Sequence, residues 1–180
     1  MVRTFVLRRV GVLLFSTSAR MSLRSLFRSK LIGTWVLLEY RTESLKSKQV
    51  EWPFGSSPKG ILIYSPEGYM SAQVMRPGTA KHEGQEFLSG TDEELAVAMR
   101  HYLAYSGRFT VPDMASTEKS TRRVIHEVEM SSYPNWIGTT QERVAHIEGD
   151  ILELSTVHPL VISGIEQRSF LTWRKLPRLT

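Results

Sequence analysis

From residue 31 onward the chain is a succession of short apolar runs, each followed by residues that favour turns. The runs at 60–65 and 69–75 flank Pro66-Glu67-Gly68, where proline and glycine suit a tight reversal, so they predict a β-hairpin. Glu148-Gly149-Asp150 joins another pair of runs in the same way. Hairpin-linked strands at this spacing favour a closed antiparallel barrel over a parallel α/β sheet. A β-sandwich is the alternative.

About nine strands and one helix are predicted. The helix covers Thr91–Ser106, because Thr91 and Glu94 form a capping box and Gly107 follows as a helix terminator. Its predicted apolar stripe contains Leu95 and Met99. The predicted strands are residues 31–41, 49–52, 60–65, 69–75, 107–111, 123–130, 139–148, 151–156 and 166–175.

Length and composition narrow the function classes. A chain of 180 residues is long enough for one domain with a proper core and too short for two ordinary ones. It contains no cysteine, which excludes disulfides, thiolate catalysis and iron–sulfur clusters. Its five histidines show no metal-binding spacing, so neither a metal site nor a cofactor is expected. No apolar run is long enough to predict a membrane span.

The positive net charge of +5 is concentrated at the N-terminus. Residues 1–30 carry seven Lys and Arg and no acidic residue, which leaves 16 positive against 18 negative side chains in the remainder. A nearly neutral domain lacks the basic face that nucleic acids require, so no nucleic-acid partner is expected.

Residues 1–30 are therefore interpreted as a basic leader, and residues 31–176 as the folded domain. Richness in Arg, Ser and Leu is typical of a mitochondrial transit peptide. The alternative is a disordered upstream extension, with Met21 as the true start and residues 22–30 as a short first helix. The protein is expected in mitochondria in the first case and in the cytoplasm in the second.

Strand alternation places two unusual side chains inside the barrel. In the run 124–130, His126 shares a face with Val124, Val128 and Met130. In the run 139–148, Arg143 and Gln141 share a face with apolar residues. A buried arginine is costly unless it is hydrogen-bonded, so an internal structural network is one interpretation of Arg143.

The functional interpretation is that these residues line a pocket. Arg143 and His126 are the candidate catalytic residues, since arginine polarises a carbonyl and histidine transfers a proton near neutral pH. Histidine packed in the core is the alternative for His126. The segment 133–138 is either a plug at one barrel end or part of the pocket rim. The candidate ligand-binding residues are Tyr64, Gln141, Trp136 and Tyr105.

Several motifs together resemble one family. Gly33-Thr34-Trp35 resembles the G-x-W signature of the first lipocalin strand, and Leu171–Leu176 is similar to the closing strand. Between them lie motifs in the order of the lipocalin-like domain family of bacterial and fungal proteins: Gly60–Ser71, Ala104–Gly107, Val124–His126, Pro134–Gly138 and Glu142-Arg143. The resemblance implies an up-and-down barrel with Trp35 closing its base and with Arg174 or Lys175 packed against that ring.

Functionally, the resemblance implies a pocket for an apolar small molecule. Several lipocalin-like proteins of fungal biosynthetic clusters act as cyclases or isomerases on polyketide-derived substrates. The first hypothesis is therefore a cofactor-free cyclase or isomerase of secondary metabolism, with Arg143 or Tyr64 polarising a carbonyl. The alternative is a non-catalytic carrier of an apolar ligand. The sequence leaves the ligand and the oligomeric state open.

Overall fold

The computed structural model describes residues 22–84, 86, 89–113 and 120–177. Within these ranges the chain forms ten strands, two α-helices and one turn of 3-10 helix at Pro134–Trp136. The helices are α1 (Leu23–Leu31) and α2 (Asp92–Arg100). The strands are β1 (Gly33–Ser44), β2 (Val50–Glu51), β3 (Lys59–Tyr64), β4 (Tyr69–Met75), β5 (Tyr102–Thr110), β6 (Thr121–Ser131), β7 (Thr140–Glu148), β8 (Ile151–Thr156), β9 (Leu160–Ile162) and β10 (Ile165–Lys175).

Eight of these strands form a closed antiparallel barrel. Neighbours run in the order β1, β3, β4, β5, β6, β7, β8 and β10, and β10 pairs back onto β1 from Trp35↔Lys175 to Ser44↔Gln167. The short strands β2 and β9 extend the sheet beside β1 and β10. The predicted up-and-down barrel is confirmed, because the β1–β10 pairing closes the sheet on itself. No helix in the described part of the chain is long and apolar enough to cross a membrane.

The two ends of the barrel have different connections. At the closed end, tight turns join β3 to β4 and β7 to β8, and α1 packs beneath β1. At the open end, four longer connections lie together, spanning residues 45–58, 76–101, 132–139 and 157–164. Because connections of this kind commonly carry function, the open end is where a site is expected.

The G-x-W segment closes one end of the barrel. Trp35 is fully buried, and its indole Nε1 donates a hydrogen bond to the carbonyl of Leu31 at 2.9 Å. Lys175 is the cation over this ring, with Nζ 4.9 Å from the ring centroid, and it also donates to the Lys30 carbonyl. Gly33 has φ +140°, and a Cβ there would lie 2.8 Å from Cε of Lys175. The glycine of the G-x-W motif therefore leaves room for the side chain of Lys175.

Helix α1 completes this closure. Phe27 and Leu31 are buried in the core, and Arg28 donates to the carbonyl of Pro66 at 2.6 Å. The Arg28 guanidinium also lies 5.4 Å from the ring centroid of Phe109. Folded structure thus begins before residue 31, inside the predicted leader. Residues 1–21 lie outside the described residues, so the transit-peptide interpretation stays a prediction.

The predicted helix Thr91–Ser106 is correct at its start and wrong in its second half. The capping box is present, with Thr91 Oγ1 accepting from Glu94 N at 3.2 Å and Glu94 Oε2 accepting from Thr91 N at 2.7 Å. The helix ends at Arg100, and residues 102–110 form β5 instead. This segment pairs on both edges, with β4 and β6, which overrides its local helix propensity.

The predicted burial of three residues is corrected. Leu95 and Met99 of α2 are exposed, since the helix lies over the open end with no residue fully buried. Met130 is also exposed, because a register shift between β5 and β6 at Ser106/Gly107 ends the alternation. Before that shift, Val124 and Val128 face inward as predicted.

Candidate functional site

A cavity lies inside the barrel toward the open end. The space between its walls is about 540 Å³ when the open solvent at its mouth is included, and the part wide enough for a water-sized molecule is about 40 Å³. Its lining comes from seven of the eight barrel strands and from the connections above them. The lining residues are Tyr40, Leu62, Ala72, Val74, Leu103, Tyr105, Trp136, Arg143, Leu154, Thr156, Leu160, Ser169, Leu171 and Trp173.

The cavity has two chemically different walls. The wall from β3, β4 and β5 presents aliphatic side chains and the ring of Tyr105. The opposite wall, from β1, β7, β8 and β10, adds three hydroxyl groups and one guanidinium among its apolar residues. The polar members of this wall are Tyr40, Thr156, Ser169 and Arg143. The cavity therefore offers apolar contacts on one side and hydrogen-bonding groups on the other.

Arg143 is the charged residue of the lining. It is only 7% exposed, and one guanidinium nitrogen donates to the carbonyl of Glu142 at 2.9 Å. Its two terminal nitrogens also lie 3.5 and 3.4 Å from Oε1 of Gln141. Within the described residues it forms no ion pair, since the carboxylate of Glu142 is paired with Arg123 at 3.0 Å. The lining therefore carries a positive charge that no carboxylate of the described residues neutralises.

Behind the cavity, a histidine lies between two tyrosines. His126 is fully buried, and its Nε2 is hydrogen-bonded to the hydroxyl of Tyr64 at 2.8 Å. Its Nδ1 is hydrogen-bonded to the hydroxyl of Tyr105 at 3.0 Å. Of the three, Tyr105 alone lines the cavity. A ligand therefore meets the histidine through the tyrosine hydroxyl and has no direct contact with its ring.

Burial keeps His126 and Tyr64 uncharged. Removal from water lowers the pKa of His126 well below its ordinary value, and the Arg143 charge lowers it further. Burial raises the pKa of Tyr64 well above its ordinary value and raises the pKa of Tyr40 as well. At neutral pH the histidine is thus neutral, with one ring nitrogen donating and the other accepting.

Hydrogen-bond satisfaction selects the tautomer. Tyr64 is buried away from the cavity, and His126 is its one hydrogen-bond partner among the described residues. A buried hydroxyl that donated to nothing costs roughly 1 to 3 kcal/mol, so Tyr64 donates to Nε2. The proton then resides on Nδ1 and is donated to the oxygen of Tyr105. This leaves the Tyr105 hydroxyl hydrogen available to an acceptor in the cavity.

The rim of the cavity is aromatic. The ring of Trp136, in the 3-10 turn, meets that of Tyr105 edge-to-face at 5.4 Å and that of Tyr133 at 5.8 Å. Leu160, at the start of β9, also lines the cavity. Of the two interpretations of segment 133–138, the rim describes this placement better than a plug. An adjoining groove shares these two residues and continues outward past exposed Met99 and Val161.

The predicted site residues divide into three positions. Arg143, Tyr105 and Trp136 line the cavity. His126 and Tyr64 lie behind its wall and do not line it, which corrects the expectation that they contact a ligand directly. Gln141 lies in a side pocket that shares Arg143 with the main cavity. Within the described residues, no three His, Asp or Glu side chains are grouped as metal ligands would be.

Sequence reasoning missed the polar residues of the first and last strands. Tyr40 and Ser169 line the cavity, and their hydroxyl oxygens are 3.5 Å apart. A register shift between Leu37 and Glu39 moves the inward positions of β1 from odd to even numbers. Regular alternation thus assigns Tyr40 to the wrong face. In β10, by contrast, the alternation of Ser169 and Trp173 was a usable signal.

Comparison with known proteins matches this geometry to a family. Residues 32–176 match the model of the lipocalin-like domain. The chain belongs to the lipocalin-like domain family. The match covers the barrel from the residue before β1 to the one after β10, so the resemblance of the G-x-W segment and the later motifs is confirmed.

A curated relative is similar to much of the chain. The 4′-hydroxy-3′-methoxypropiophenone carrier protein ppsC of Aspergillus oryzae is 96% identical over 111 residues, which are 62% of this chain and the whole of that relative. Its name describes a carrier of a small aromatic ketone. Of the two functional hypotheses, this relative supports the carrier better than the cyclase or isomerase.

Proposed function

We propose that this lipocalin-like protein is a carrier that binds a small oxygenated aromatic ketone in its barrel and releases it unchanged. The observation that carries the proposal is the cavity with an aliphatic wall facing a wall of hydroxyl groups and a guanidinium. The name of the relative supplies the candidate ligand, 4′-hydroxy-3′-methoxypropiophenone. Such a molecule has a flat apolar ring with a hydroxyl and a methoxy group at one end and a ketone at the other.

Each part of that ligand has a matching group in the cavity. The aromatic ring packs against aliphatic residues such as Leu62 and Val74 and is covered at the rim by Trp136. The ketone oxygen accepts a hydrogen bond from a donor, and the hydroxyl of Tyr105 has its hydrogen available for one. The phenol end is directed to Arg143 and Ser169 on the polar wall. In this proposal, these hydrogen-bond donors distinguish aromatic ligands of similar size by the positions of their oxygen atoms.

The same geometry gives catalysis less support. A general base must reach the proton that it removes, within hydrogen-bond distance or through one intermediary. Both ring nitrogens of His126 are engaged by tyrosines, and the ring is outside the cavity lining. The residue holds Tyr105 in place and sets the direction of its hydroxyl. A binding function requires only this positioning of Tyr105 by His126.

Titration of the purified protein with 4′-hydroxy-3′-methoxypropiophenone tests the proposal. Trp136 and Trp173 line the cavity, so their fluorescence reports on occupancy. We expect saturable 1:1 binding and recovery of the unaltered ketone from the complex by chromatography. Absence of binding, or conversion of the ketone to another compound, overturns the carrier function.

A matched pair of variants locates the ligand. Ala72→Phe fills the cavity from β4 and is expected to abolish binding, because Ala72 lines it. Ile63→Phe adds bulk on the outward face of the adjacent strand, where Ile63 is exposed, and should bind like the parent protein. Circular dichroism confirms that both are folded. Equal binding by both variants would place the ligand outside the barrel.

A further inference from the structure

The buried guanidinium of Arg143 differs from the other hydrogen-bond donors of the cavity because it is charged. It brings a full positive charge into a largely apolar cavity, and arginine does not lose its proton in proteins. A charge taken out of water is costly unless an opposite charge compensates it. Its partners within the described residues are the carbonyl of Glu142 and the amide oxygen of Gln141, both neutral.

Among the described residues, none of the other titratable groups around the cavity provides a negative charge. Tyr40 on β1 and Tyr64 on β3 are held neutral by burial, and His126 on β6 is neutral as well. Tyr105 on β5 presents its hydroxyl, and His158 lies in the side pocket. Histidine and tyrosine are not anions at neutral pH.

The nearest acidic side chain along β7 points the other way. Glu142 neighbours Arg143 in sequence, so their side chains lie on opposite faces of the strand. Its carboxylate forms its ion pair with Arg123 outside the cavity. Within the described residues, then, no carboxylate compensates the charge of Arg143.

We propose that the ligand is bound as an anion, with the phenolate oxygen of a para-acyl phenol as the counter-ion of Arg143. This inference rests on the proposed carrier function and adds the chemical form of the cargo. On binding, the phenol O–H bond breaks, the electron pair stays on the oxygen, and the proton is released to the solvent. No oxidation or co-reactant is involved.

Chemistry favours this form for such a ligand. A ketone para to the hydroxyl withdraws electron density from the ring, so the phenol is more acidic than tyrosine, whose ordinary pKa is about 10. A hydrogen bond from a guanidinium to a charged oxygen is about twice as strong as one to a neutral oxygen. Burial alone raises the pKa of a phenol, as it does for Tyr40, and in this proposal the attraction between the phenolate and Arg143 in a cavity shielded from water outweighs it. The complex therefore lowers the pKa of the bound phenol.

Absorption spectroscopy reads the protonation state of the ligand directly, because phenolates absorb at longer wavelength than phenols. The complex of the full chain with 4′-hydroxy-3′-methoxypropiophenone is titrated with pH beside the free ligand. We expect the bound phenol to titrate at least one pH unit lower than the free one, a tenfold shift in its acid dissociation constant. A bound ligand that titrates at or above the free value overturns the inference while leaving the carrier function intact.

Variants and a blocked ligand separate charge from shape. Arg143→Lys keeps a cation and should retain most of the shift in the pKa of the bound phenol, whereas Arg143→Met should abolish this shift. 3′,4′-Dimethoxypropiophenone cannot ionise, so we expect it to bind at least tenfold more weakly to the parent protein and equally to Arg143→Met. Equal affinities of the parent protein for the two ligands would contradict the inference without reference to any variant.

Proton release supplies a measurement that needs no folded variant. Calorimetric titration in two buffers of different ionisation enthalpy counts the protons released for each ligand bound. At a pH midway between the pKa values of the free and the bound phenol, release of about half a proton or more supports the phenolate, and a value near zero overturns it. If neither ketone binds, the carrier function itself fails, and this is visible in the fluorescence titration beforehand.

Discussion

The two ends of the barrel differ in how closely their side chains are packed. At the closed end, Trp35 is packed between helix α1 and the last strand, with Phe27 and Leu31 buried beside it. At the open end, residues such as Ile137 and Val161 remain exposed around a rim that leads into the cavity. Close packing at one end supplies stability, and looser packing at the other end leaves the cavity open to the solvent.

Hydrogen bonding shows the same contrast. At the closed end, the indole of Trp35 and the ammonium of Lys175 both have backbone partners. Toward the open end and the cavity floor, three buried polar atoms have no hydrogen-bond partner within the described residues: Thr42 Oγ1, Gln167 Oε1 and Trp173 Nε1. Such atoms reduce stability, and they are often associated with function. The difference separates a structural end of the barrel from a binding end.

The largest expected effect is at the closed end. Trp35→Ala removes a fully buried indole and its hydrogen bond, so we expect the free energy of unfolding to fall by about 3 to 5 kcal/mol. Denaturant unfolding measures it. If the loss were below about 1 kcal/mol, the closed end would not be the structural end.

The next effect concerns His126, which lies behind the cavity. Because its pKa is lowered in the folded state, the unfolded chain binds more protons once the pH falls below about 6.5, and stability decreases with falling pH. The loss is at most about 1.4 kcal/mol for each pH unit below pH 6.5. Denaturant unfolding at several pH values should show a shallower dependence for His126→Gln. Coincident pH profiles would mean that the histidine is not buried in its neutral form.

Trp136→Ala tests the binding end. Since Trp136 is half-buried and covers the cavity, we expect roughly tenfold weaker ligand binding, about 1.4 kcal/mol, with a smaller change in unfolding free energy. Trp52→Ala is the control, because Trp52 is exposed and outside the cavity lining. A variant that lost stability like Trp35→Ala but kept its affinity would reverse the assignment of the two ends.

The smallest effect is at the edge of the closed end. Lys175→Met removes the cation over Trp35, and we expect about 0.5 to 1 kcal/mol of lost stability without a change in affinity. Arg174→Met is the neighbouring control, since Arg174 is exposed and 3.9 Å from Asp150 in a surface ion pair. Thermal unfolding compares the two. Equal effects would show that the contact with the indole contributes nothing of its own.

Most of the barrel was predictable because turn residues and the alternation of apolar and polar residues mark its strands in the sequence. The hairpin at Pro66–Gly68 and the strand 151–156 agree with the structure. The second part of β5 agrees with the predicted strand 107–111. Its first part was wrongly predicted as helix because residues 102–106 follow a strong helix start without a break, and strand pairing decides their conformation. The three-residue strand β9 is too short for a periodic signal.

The site was predictable where strands are regular. Arg143 and His126 face inward because β6 and β7 alternate without interruption through them. Whether an inward side chain contacts the cavity or packs behind it depends on the tilt and register of all eight strands, which no local pattern contains. Tyr40 was lost at the register shift of β1.

The pairing of Trp35 with Lys175 has a practical consequence for experiments. The described chain enters the barrel and leaves it side by side, on the face opposite the rim. A tag, tether or fused domain joined before Ser22 or after Pro177 therefore leads away from the mouth. The protein can be anchored to a sensor surface by either route with its cavity facing the solution, and two such barrels can be joined in tandem with both mouths clear.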